Sequence, residues 1–307
     1  MNDIHCHFFS HQFFEALARQ QPVADDTDPV ARVTGSLGWD APGTAGQLAD
    51  RWVAELDRHG VGRAALIASV PGDEASVASA VARRPDRFVG MFMLDPTGAD
   101  AGARATNAFT TLGLRVVCLF PAMHHVPLSD PRVAAIVETA AQHPGTAVFV
   151  HCGVLSVGVR KKLGLPSPFD MRIGNPLDLH VLAVRYPSLP IVIPHFGGGL
   201  FREALMVADL CPNVCFDTSS SNGWTKYHPG LTLDSVFRQA LAVLGPDRLL
   251  FGTDSSFFPR GWQRNIYETQ KGVLERLGVD DSVSARIFSG NFDRLFPISD
   301  RRLQISD

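Results

Sequence analysis

The stretch "NDIHCHFFSHQFF" (residues 2–14) decides the fold. Its first part, "DIHCH" (3–7), reads as a strand. A doubly wound nucleotide-binding sheet needs a glycine-rich phosphate turn directly after its first strand. "HCHFFSHQFF" (5–14) contains no glycine, so that fold is the runner-up. On a strand His5 and His7 share a face and Cys6 points away, which places two imidazoles at one spot. A single His-x-His carries little weight, because 11 histidines in 307 residues give about 0.4 such pairs by chance.

Working outward, short apolar runs alternate with helix-patterned segments. After 3–7 come "RAALIAS" (63–69), "FVGMFML" (88–94), "LRVVCLF" (114–120), "AVFVHCG" (147–153), "IVIPHFG" (191–197), "VCFDTSS" (214–220) and "LLFGTDS" (249–255). Helical spacing falls near 46–59, 74–84, 99–111, 131–142, 176–186, 200–210, 232–244, 262–277 and 281–289. Eight strand–helix units predict one α/β domain over 1–307, a closed (β/α)8 TIM barrel, whose usual size is about 250 residues plus insertions. The longest insertions, near 8–62 and 154–176, follow strands, as do "SNGWTKYHPGL" (221–231) and "SFFPRGW" (256–262). Loops after strands crowd the C-terminal mouth, where barrel enzymes keep their active sites.

Composition narrows the function. A net charge of −3, with "RKK" (160–162) the one short basic run, disfavours a nucleic-acid partner. The first residues lack a basic segment followed by an apolar one, so no secretory signal is expected, and no apolar stretch is long enough for a membrane span. Five irregularly spaced cysteines suit a reducing compartment, and the expected location is the cytoplasm. Cys211 and Cys215 lack a second close pair and read as core.

His5 and His7 close the first predicted strand, His151 the fifth, His195 the sixth and Asp254 the eighth. Five nitrogen and oxygen donors at the same ends of four strands match the preferences of zinc. In order along the chain, "DIHCHFF", "VFVHCG", "PHFGGG", "FGTDS" and "SGNFDRLF" resemble the amidohydrolase superfamily, in particular the amidohydrolase-related group around aminocarboxymuconate-semialdehyde decarboxylase. The resemblance implies that His5, His7, His151 and Asp254 bind one divalent metal, zinc first, with manganese or iron as alternatives. It implies catalytic roles for His195 in proton movement and for Asp254 in accepting a proton from water or orienting it. "LRVVCLF" has no lysine to bridge a second ion, so one metal is the expectation. Zinc lowers the pKa of water from about 15.7 to about 7, which serves hydrolysis. Decarboxylases of the superfamily use the same residues, so a carboxy-lyase is the alternative to a hydrolase.

Substrates of the family are small carboxylated or phenolic molecules, so cations at the mouth become candidates. Arg172 and Arg260 stand ahead of Arg160 and Lys161, and His124 and Trp224 are further candidate contacts. Phe257, Phe258 and Trp262 could line an aromatic pocket, and His228 could gate it. Asp217 could hydrogen-bond within the barrel or support His195. His11, His59, His143 and His180 read as structural. "FGGG" (196–199) could hold an anion on its amides or simply allow a tight turn. A homodimer follows from the resemblance alone.

Overall fold

The computed structural model describes residues 1–23 and 27–298, so residues 24–26 and 299–307 of the expected 1–307 domain lie outside the described residues. Eight strands form one parallel sheet in chain order: β1 (Asn2–Phe8), β2 (Arg63–Ala68), β3 (Phe88–Met93), β4 (Val116–Leu119), β5 (Ala147–Val150), β6 (Ile191–Ile193), β7 (Val214–Asp217) and β8 (Leu249–Leu250). The ring closes between β8 and β1 through a bridge from Cys6 to Ser255 and bonds from Ile4 N to Phe251 O and His7 N to Ser255 O. This is the predicted (β/α)8 barrel. No helix among the described residues is long and apolar enough to cross a membrane.

Alternation along the strands builds two cores. Ile4, Ile67, Val89, Met91, Val116, Cys118, Phe149, Val192 and Leu250 fill the barrel interior, with Phe292 and Phe296 in the same cluster. The opposite faces pack under the helices. Ala45–Arg58 starts with a Thr44–Gln47 capping box and buries Leu48, Trp52, Val53 and Leu56, a one-sided helical spacing. Leu233–Leu244 repeats the device with Thr232 and Ser235, burying Val236, Phe237, Ala240 and Leu244.

The strands are shorter than their apolar runs predict. β5 stops at Val150, β6 at Ile193 and β8 at Leu250, one, two and four residues before His151, His195 and Asp254. A second departure lies in the first insertion, which folds two helices of its own. His11–Ala18 is capped by Ser10, and Pro29–Leu37 is capped by Asp28 with proline in its first turn. Their apolar faces (Phe13, Phe14, Leu17, Val30, Val33) pack with Val159, Leu163 and Leu165 of the second insertion in a third core cluster. The two long insertions therefore brace each other.

Candidate metal centre

β1 delivers His5 and His7 with a register shift between Asp3 and Cys6 in its pairing to β2. Their Nε2 atoms lie 3.3 Å apart. Asp254 brings Oδ1 to 3.7 Å from His5 Nε2 and 3.2 Å from His7 Nε2. Asp254 sits at φ 62°, a left-handed conformation that costs a non-glycine residue about 1–3 kcal/mol. Its surroundings hold it there. Asp254 N donates to His5 O at 2.9 Å, and Gln263 Nε2 donates to Asp254 O at 3.1 Å. Next door, the buried Asp3 carboxylate accepts from Thr253 N at 3.1 Å, Thr253 Oγ1 at 2.5 Å and Trp262 Nε1 at 2.7 Å.

Hydrogen-bond partners assign the imidazole protons. Asp217 Oδ2, 2.6 Å from His5 Nδ1, can only accept, so His5 carries its proton on Nδ1. His7 Nδ1 lies 2.7 Å from Ser69 Oγ, whose own proton goes to Ile67 O at 2.9 Å, so His7 also donates from Nδ1. Both Nε2 atoms then present lone pairs to each other and to a carboxylate oxygen. Three acceptors facing one point repel unless a cation sits among them, so these residues fit a divalent metal. His5, His7 and Asp254 place their ligand atoms within 4.8 Å of one another. His5, His195 and Asp217 do so too, but their contacts are hydrogen bonds through Nδ1, which uses up the donor atoms.

Ligation requires neutral imidazole and ionised carboxylate, and electrostatics favour that state at every group of this face except His5. Burial opposes a charge on His5, but Asp217 outweighs it and raises the His5 pKa. Burial lowers the pKa of His7 and His195, and it drives His151 well down with help from His195 and His5. Asp254 resists burial, because His7, His5 and His195 hold its carboxyl below the usual range.

His151 and His195 stand beside this group rather than within it. Their ring centroids are 5.4 Å apart, and His195 stacks on His5 at 5.1 Å. His151 stacks on Phe120, and its Nδ1 is buried with no hydrogen-bond partner. His195, like Asp254, is left-handed, at φ 55°. The glycines after it answer the alternative left open by "FGGG": a Cβ on Gly198 would lie 2.6 Å from Cys152 O, and one on Gly153 would lie 2.4 Å from Gly197 O. They permit two backbones to touch beside the histidines, and the next helix begins only at Phe201.

The other candidates scatter. Arg260 lies at the rim, 4.5 Å over the Phe257 ring, with Nη2 3.3 Å from Asp254 O. Arg172 extends into solvent at 90% exposure and pairs with Asp170. His124 lines a small cavity with Pro96, Leu128 and Val133, whereas its neighbour Met123 packs against the barrel interior. Trp224 is buried against Phe201 and His228, with Nε1 donating to Asn222 Oδ1. His228 Nε2 lies 2.8 Å from Gly199 O, and Trp262 is buried above Asp3. Phe258 packs edge-on against Trp52. Sequence reasoning missed Ser69 and Ser219, both at strand ends in runs read only as strands, and Phe149, edge-on to His5 at 5.1 Å.

Comparison with known proteins places this geometry. Protein fluG of Emericella nidulans is 29% identical over 142 residues, spanning 43% of this chain and 16% of that protein. Three solved structures superpose on 96% of the chain. They are 5-carboxyvanillate decarboxylase LigW from Sphingomonas paucimobilis (98% of that chain, TM-score 0.64, 18% identity), a probable 2-pyrone-4,6-dicarboxylic acid hydrolase from Acinetobacter baumannii with citric acid bound (98%, 0.61, 15%), and a 5-carboxyvanillate decarboxylase from Novosphingobium aromaticivorans with bound manganese (97%, 0.62, 15%). At these identities the likeness is one of fold. The profile of the family described as Amidohydrolase matches residues 3–298, and the chain belongs to that family.

Proposed function

We propose that the chain is a divalent-metal-dependent hydrolase acting on a small, carboxylated organic substrate. One observation carries this: ligand atoms of His5, His7 and Asp254 converge within 4.8 Å of one another, with both Nδ1 atoms engaged elsewhere. His5, His7 and Asp254 would hold the ion, with His151 beside them, and zinc is proposed ahead of manganese. Bound there, the ion supplies Lewis acidity, polarising a substrate oxygen and making water a stronger acid. The rest is the work of this chain's residues. His195, anchored through Nδ1, keeps Nε2 free to accept a proton and return it. Arg260 offers a guanidinium fork to a substrate carboxylate at the rim. Met93, Phe120, Met123 and Leu155, at or beyond the ends of β3, β4 and β5, supply an apolar surface that excludes water.

A carboxy-lyase at the same site is the second reading. The apolar lining suits an aromatic acid, and two of the structural relatives are named as decarboxylases. Metal analysis of the purified protein, with a panel of lactones, esters, amides and aromatic acids, tests both. Ring or ester opening supports the hydrolase. Carbon dioxide release without hydrolysis moves the assignment to the lyase, and absence of stoichiometric metal sinks both.

A further inference from the structure

We propose that Asp217 is a positioning residue that sets the tautomers of two site histidines, His5 directly and His195 through the Ser219 hydroxyl. This rests on the metal-site reading above, and it concerns residues that touch neither ion nor substrate. Asp217, at the end of β7, and Ser219 are both fully buried. Glycine at 252 leaves room for them, since a Cβ there would lie 2.8 Å from Asp217 Oδ1.

Ser219 Oγ lies 3.0 Å from His5 Nδ1 as well as beside Asp217 and His195, and the pure acceptors around the two rings decide where the protons go. Asp217 Oδ1 accepts from Ser219 N at 2.6 Å. Asp217 Oδ2 accepts from His5 Nδ1 at 2.6 Å and from Ser219 Oγ at 3.0 Å. Having given its only proton to the carboxylate, Ser219 Oγ can only accept from His195 Nδ1, 2.9 Å away. Ser219 O, 3.2 Å from the same nitrogen, also only accepts. Every Nδ1 proton therefore points into this network, and the Nε2 lone pairs of both rings are left for chemistry. The orientation of both rings traces back to one carboxylate.

An isosteric change should invert this. In Asp217→Asn the amide oxygen must stay opposite the Ser219 backbone N–H, a donor that cannot reverse. The amide nitrogen then faces His5 Nδ1, and two N–H groups cannot share that contact. His5 must move its proton to Nε2, which closes that atom to a metal ion. The same swap removes the anionic acceptor of the Ser219 hydroxyl, while Ser219→Ala cuts the branch to His195 and leaves the His5–Asp217 bond in place.

Nitrogen-15 NMR of the histidine rings in metal-free protein, together with competition for zinc against a chromophoric chelator, reads both effects. Wild type should show Nδ1–H on His5 and His195. Asp217→Asn should show Nε2–H on His5 and bind zinc about 100-fold more weakly or worse. Ser219→Ala should leave His5 as Nδ1–H, weaken zinc less than tenfold, and speed exchange of the His195 Nδ1 proton. Nδ1–H retained on His5 in Asp217→Asn, or zinc affinity within threefold of wild type, overturns the inference. Should that variant not fold, Ser219→Ala decides, and an unchanged His195 proton overturns it. A wild type that binds no zinc would sink the functional reading instead, while the ring tautomers still judge this one.

Discussion

Replacing Asp73 with asparagine should stabilise the protein at neutral pH and leave it nearly unchanged in mild acid. Asp73 is fully buried and accepts a 2.5 Å hydrogen bond from Ser10 Oγ, with Ser76 as a second, weaker hydrogen-bonding neighbour. Burial raises its pKa from 3.8 to about 6, and the Ser10 bond offsets this only in part. A folded-state value above the unfolded one means the native protein holds the proton more tightly. The contribution of Asp73 to stability is thus full below about pH 4 and is lost as pH rises through 6. At 1.36 kcal/mol per pH unit, the gap from 3.8 to about 6 amounts to about 3 kcal/mol at pH 7.5. Asparagine carries no such penalty, and its amide oxygen still accepts from Ser10. Thermal melts of both proteins between pH 4 and 8 measure the effect. A chain of this size should melt about 5 °C higher as the variant at pH 7.5, with the difference closing toward pH 4. A difference that stays constant with pH would refute the account of Asp73 as a buried, reluctantly charged carboxylate.

Other expectations concern the site. Asp254→Asn should keep the native circular dichroism spectrum and lower kcat/KM about 10³-fold; a variant with near-native rates would remove Asp254 from its role. Dialysis against a chelator should abolish turnover reversibly and lower the melting temperature. The matching loss is about 2.7 kcal/mol if the ion was present at 100 times its Kd, and zinc or manganese should restore both. Arg260→Ala should raise KM for a carboxylated substrate about tenfold with little change in kcat, because its guanidinium sits at the rim beside Asp254. An unchanged KM would assign Arg260 to stacking on Phe257 alone.

Much of the barrel was legible because parallel strands buried on both faces read as continuous apolar runs. The convergence of His5, His7 and Asp254 was legible for a related reason: closure of the barrel brings donors at the same ends of the first and eighth runs together. The left-handed backbones of His195 and Asp254 were not legible, because they follow from where neighbouring loops force the chain. Helix His11–Ala18 did have a signal in Ser10 and in the spacing of Phe13, Phe14 and Leu17, but the proline- and glycine-rich residues after it drew the part of the insertion before the helix predicted at 46–59 into a loop reading. Ser69 and Ser219 were invisible because a serine hydroxyl matters only once its partner histidine is known. Trp224 was singled out for its chemistry, while the fold uses it as core.

The junction of β8 with β1 gives the protein a biosynthetic order. His5 leaves the ribosome well before Asp254, yet the two meet across the edge where the sheet closes on itself. Asp3, reaching Thr253 and Trp262, fastens that same edge. A nascent chain that has not yet made the eighth strand lacks Asp254, so the proposed ion would find its full set of ligands only after that strand is made. An ion held by His5, His7 and Asp254 would then pin β1 to the end of β8.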